Sequence, residues 1–147
     1  MKKKKITRKQ MDILVNGRRF TIFTGVFDSA VTFYVGSPKR ILTALVNTDH
    51  CAVKERQGHI DFINKTGSNG FSMELRDEDS IKTHVIWLKK WDGTPASIGV
   101  LSHEITHYIL DVMDDKGIPV RVENSEVQAY MQEYVLRKAL EELAKKP

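Results

Sequence analysis

The segment Leu101-Ser102-His103-Glu104-Ile105-Thr106-His107-Tyr108 constrains this chain more than any other, because it spells H-E-x-x-H inside a stretch of helical periodicity. Imidazoles four residues apart lie on one face of an α-helix, one turn above each other. There both can reach a single Zn²⁺ while the intervening carboxylate handles a proton. The expectation is a zinc-dependent hydrolase whose third ligand and open coordination position come from elsewhere in the chain.

The neighbourhood supports a helix. Leu101, Ile105, Tyr108, Ile109 and Val112 share one apolar stripe, and His103 and His107 point to roughly the opposite side. Val100 and Leu110 flank the histidines, so this helix should be central, packed on a sheet by its main stripe and lining a cleft with its other side. Thr94 is placed as N-cap with Pro95 at the first helical position, where a missing N–H costs nothing. Asp114-Asp115-Lys116-Gly117 ends the helix, Gly117 suiting a left-handed residue just past the C-cap. Two histidines opposite an apolar stripe can also simply face solvent; Glu104 in register and punctuation at both ends favour the metal site.

A catalytic zinc takes three protein ligands plus water. The downstream glycine and histidine of a metzincin are absent, since Leu110 and Met113 stand there. Asp111 lies on the same helix, but its backbone is about 12 Å along the axis from His103. It suits a partner for the second nitrogen of a ligating histidine better than a ligand. The next element begins near Ser125, which has capping-box spacing to Gln128, and strong helix formers follow nearly to the C-terminus. Glu126 in its first turn, 19 residues beyond His107, is the expected third ligand of a His₂Glu site. Glu123 is the alternative, and Glu133 lies two turns further on. The plain reading of a glutamate at a helix start is a favourable dipole interaction.

His103-Glu104-x-x-His107 followed by Glu126 resembles the gluzincin arrangement of thermolysin-like metallopeptidases. The stretch His84-Val85-Ile86-Trp87-Leu88, Thr94-Pro95, the motif helix, Lys116-Gly117-Ile118-Pro119 and Asn124-Ser125-Glu126-Val127-Gln128-Ala129-Tyr130 is similar to small zincin-like proteins of tailed bacteriophages. The resemblance is specific from His84 onward and weak over the front half. It implies a zincin-like fold, a peptidase activity, and phage virion or assembly partners. The thermolysin pattern has an aspartate four residues after the third ligand; here that position is Tyr130.

At 147 residues and 41% hydrophobic content, the chain suits one domain with a single core. No apolar run approaches membrane-spanning length, and no signal-peptide segment follows the lysines at the start, so the expected location is the cytoplasm, that of the host or the virion if phage-encoded. The lone Cys51 can make no internal disulfide. Asp49 and His50 beside it invite a metal reading, but a small buried thiol is the simpler one. Net charge is only +4, yet Lys2 to Lys5 with Arg8 and Lys9 form a basic block. Without interleaved aromatics it reads as a solvated tail over residues 1–10 rather than a nucleic-acid arm, leaving 11–147 as one zincin-like domain.

The front half reads as β-rich. Arg19 to Thr24 and Ala30 to Val35 form a hairpin around Gly25 to Ser29, and Ser37-Pro38 opens a short helix from Lys39 to Asn47. Ile60 to Ile63 and Phe71 to Leu75 are weaker strands, and Lys82 to Leu88 is the most convincing one. The sum is an α+β domain of zincin type, a small mixed sheet packed on the motif helix and a C-terminal helix. The strand before the motif helix is expected to border the cleft, where a peptide or protein substrate adds by main-chain hydrogen bonds.

In the expected mechanism Glu104 is the general base, and His84, Tyr108 or Tyr130 assists the oxyanion. The alternative from another class is a non-catalytic phage structural or assembly protein with a structural zinc. For that protein, a non-ligating carboxylate beside the metal has no use.

Overall fold

The computed structural model describes residues 17–25 and 27–146; the expected basic tail lies outside the described residues. Among the described residues the chain is α+β, with one four-stranded mixed sheet and four α-helices. Strand β1 (Arg18–Thr24) pairs antiparallel with β2 (Ser29–Val35), forming the expected hairpin. Helix α1 (Arg40–Val46) follows, then α2 (Arg56–Lys65), β3 (Gly70–Arg76) and β4 (Lys82–Leu88). The motif helix α3 is Pro95–Asp115 and the C-terminal helix α4 is Ser125–Ala144. None of these helices is long and apolar enough to cross a membrane.

The strand order is β1-β2-β4-β3, with β2 and β4 parallel and the other pairs antiparallel. Parallel neighbours need a crossover, supplied here by the run from α1 through β3. Strand β4, expected to border the cleft, is instead central and paired on both sides. Its run from His84 to Leu88 is buried throughout, as a strand covered on both faces must be. The open edge beside α3 is β3.

Ile60 to Ile63, expected as a strand, lies inside α2. Periodicity cannot separate helix from strand over four residues. The side chains settle it: Ile60 and Ile63 sit three apart against the core, and Gln57 donates to Asp61 one turn on, at 2.9 Å. With α1 this helix forms a layer on the sheet face opposite α3 and α4. The fold is thus three-layered, where only the layer containing the motif helix was expected.

The punctuation of α3 forms as the sequence predicts. Thr94 Oγ1 accepts from the Ser97 N–H at 3.3 Å, and Pro95 follows. At the other end Ile118 N–H bonds Met113 C=O at 2.8 Å, with Gly117 at φ +66°. The capping box expected at Ser125 does not form. A 3₁₀ turn, Val122–Asn124, leads directly into α4, so Ser125 is already helical and Asn124 stands at the cap without a side-chain cap bond. The Asn124 side chain donates instead to Pro119 C=O at 2.9 Å.

Two apolar clusters hold the layers. Val31, Phe33, Ile86 and Leu88 face Leu101, Ile105, Ile109 and Val135. Tyr34, Val85, Trp87 and Leu75 face Ile41, Leu42, Leu45 and Ile63. The close approach of α3 to β3 depends on Gly70: a Cβ there would lie 2.8 Å from Val100 Cγ1 and 3.1 Å from Trp87 O.

Candidate metal centre

His103 and His107 project from α3 one turn apart and are both exposed. Their rings meet edge to face at 79°, and their Nε2 atoms stand 3.2 Å apart. Two nitrogens bound to a tetrahedral zinc at the usual Zn–N length are about 3.3 Å apart. The separation matches that of two ligands on one such ion, and it equally suits a hydrogen bond from one ring to the other.

Glu104 points elsewhere on the same helix and is only 6% exposed. Burial pushes its carboxyl pKa up, while the positive character of His103 and His107 and the backbone amide of Ser72 on β3 pull it down. A buried carboxylate between an edge strand and two imidazoles is placed to hold or release a proton beside them.

The motif is braced from behind. Gln132 on α4 donates to Ser102 C=O and to Ser102 Oγ, both at 3.1 Å, and Thr106 Oγ1 donates to Gln132 Oε1 at 3.1 Å. Ser102 and Thr106 immediately precede the two histidines, so one glutamine sets the rotation of the helix that carries them. Polar residues at those two positions, spaced i and i+4, are the sequence signal for this clamp.

Glu126 is exposed in the first turn of α4, and among the described residues it makes no hydrogen bond or ion pair. No third imidazole, carboxylate or thiol among the described residues joins the two Nε2 atoms within 4.8 Å. The structure thus brings His103 and His107 together and leaves Glu126, like Glu123 in the 3₁₀ turn, apart from them. Asp111 is half-buried; burial and then the neighbouring Glu74 carboxylate raise its pKa, and His107 opposes the rise.

His84 is buried on β4, its ring edge-to-face with Tyr108 at 5.1 Å. Burial holds its pKa below the ordinary value, the Glu74 carboxylate working against the shift. The Tyr108 hydroxyl is engaged with Ser29 Oγ at 2.8 Å and Thr24 Oγ1 at 3.3 Å. Tyr130 is exposed and stacks on Tyr134, lining a separate pocket with Thr24, Gly25 and Met131 on the β1 side of α4. Cys51 is a buried thiol, its pKa raised chiefly by burial, while His50 is exposed.

What sequence reasoning missed is a second cluster. Glu74, His84 and Asp115 offer ligand atoms all within 4.8 Å of one another. They come from β3, β4 and the last turn of α3, and only strand order and helix placement bring them together. Comparison with known proteins finds no match to this chain among protein-family models, curated proteins or solved structures.

Proposed function

We propose that this chain is a zinc-dependent peptidase of zincin type. The observation that carries the reading is the convergence of His103 and His107 Nε2 at 3.2 Å beside the buried, non-ligating Glu104. His103 and His107 hold the metal, and Glu126, which among the described residues makes no hydrogen bond or ion pair, closes on them as the third ligand in this reading, with Glu123 as the alternative. Bound zinc supplies Lewis acidity and lowers the pKa of water to about 7.

Glu104 takes the proton from the attacking water and returns it to the leaving amine. In this reading the step takes place beside the Ser72 amide of β3, an edge strand of the sheet. His84 and Tyr130 are less suited to the oxyanion role than the sequence suggested, one buried on β4 against Tyr108 and the other stacked on Tyr134 in a separate pocket.

The test is cleavage of an unbiased peptide library by wild type and Glu104→Gln at equal zinc occupancy. The expected loss is about 10²–10⁴-fold in rate with zinc retained. Cleavage that survives unchanged in Glu104→Gln contradicts the mechanism. A second reading is a structural zinc between α3 and its neighbours, which needs further protein ligands to close on the two histidines. It gains if zinc-loaded wild type cleaves nothing.

A further inference from the structure

The geometry points to a second divalent-cation site, independent of the H-E-x-x-H pair, built from His84 Nε2 and the carboxylates of Glu74 and Asp115. Their ligand atoms lie within 4.8 Å of one another. His84 is 7% exposed. Its Nε2 faces Asp115 Oδ2 at 3.9 Å, too long for a hydrogen bond. An imidazole held on β4 with Nε2 within ligand range of two carboxylates is the donor set of a divalent-cation site.

Lys82 shows where the positive charge belongs. Its ammonium reaches Glu74 Oε1 at 3.4 Å and pairs with Asp115 Oδ1, and Arg76 approaches Glu74 from outside at 3.1 Å. Asp111 adds a third carboxylate to the field of Glu74 and Lys82. Lys82 is the cation that lies among the ligand atoms themselves, so a divalent ion would bind by displacing its ammonium from Glu74 and Asp115.

One imidazole and two carboxylates suit a borderline ion such as Zn²⁺, or the harder Mn²⁺, rather than a soft one. The open side of the cluster faces a pocket of about 550 Å³ lined by Ser29, Thr32, Lys82, His84, Asp115 and Lys116. A bound ion would tie the end of α3 to β3 and β4.

The test is Zn²⁺ titration by calorimetry on His103→Ala/His107→Ala, which removes the first pair from an exposed face and so separates this proposal from the peptidase reading. The double variant is expected to retain one zinc site. Adding Glu74→Gln, a partly exposed position whose change spares the core, should weaken that site at least about tenfold, and His84→Gln likewise. Adding Lys82→Met should tighten it about tenfold by removing the competing charge. A folded double variant that binds no zinc overturns the site. So does binding indifferent to Glu74→Gln, or a Lys82→Met change that leaves the affinity unchanged or lower.

Discussion

Helices α1 and α2 close one face of the sheet with Ile41, Leu42, Leu45 and Ile63 against Tyr34, Val85 and Trp87, and among the described residues no buried carboxylate or imidazole interrupts them. Helices α3 and α4 close the other face with an apolar cluster of the same kind, yet Glu104 and His84 are buried there too. Desolvation makes such burial costly, and it shows in the upward shift of Glu104 and the downward shift of His84. The two faces thus differ in what they bury: a thiol, Cys51, on the α1 and α2 side, and a carboxylate and an imidazole on the other.

The strongest way to break this contrast is to thin each core in turn. Leu42→Ala and Ile105→Ala, both fully buried, should each cost about 2–5 kcal/mol in urea unfolding. Zinc bound per folded molecule should stay at the wild-type level in Leu42→Ala and fall in Ile105→Ala, which sits between the two histidines. Equal effects on zinc would erase the contrast. A smaller loss is expected from Gly70→Ala, whose new methyl meets Val100 and the β4 backbone: about 1–3 kcal/mol by the same measurement. Gln132→Ala, which releases the clamp on Ser102 and Thr106, should cost about 1 kcal/mol and lower zinc affinity, whereas a stability loss with unchanged affinity would make the clamp purely structural.

The subtlest contrast is in pH. His84 titrates below its ordinary 6.5 when folded, so the unfolded chain takes up that proton first. Its contribution is present above about pH 6.5 and is lost as pH falls toward the folded value. Glu104 and Asp111, both shifted upward by burial, act in the opposite sense, because the folded form is protonated first as pH falls. Urea midpoints between about pH 7 and 5 should therefore fall more in wild type than in His84→Gln. Parallel curves would mean that His84 carries no linkage.

The legibility of the two faces also differs. Helix α3 was readable to its ends because Thr94, Pro95 and Gly117 act through contacts a few residues away. The same local reasoning failed at Ser125, where the chain enters α4 through a 3₁₀ turn and the side chain of Asn124 is drawn to Pro119. Helix α2 was lost to a four-residue apolar run, although the Gln57 and Asp61 spacing was already helical. Strand β4 was visible, but its central place was not inferred, even though Val85 to Leu88 is the unbroken apolar run that two-sided burial demands. The histidine pair was legible because its four-residue spacing is local. The Glu74, His84 and Asp115 cluster was not, since strand order brings it together.

The central claim is that His103 and His107 hold zinc while Glu104 stands beside it without ligating. Zinc stoichiometry by calorimetry and elemental analysis on wild type, His107→Ala and Glu104→Gln tests it most directly. The account predicts that His107→Ala binds one zinc fewer than wild type and that Glu104→Gln binds as many. Zinc lost in Glu104→Gln with the fold intact, or retained in full by His107→Ala, would contradict it.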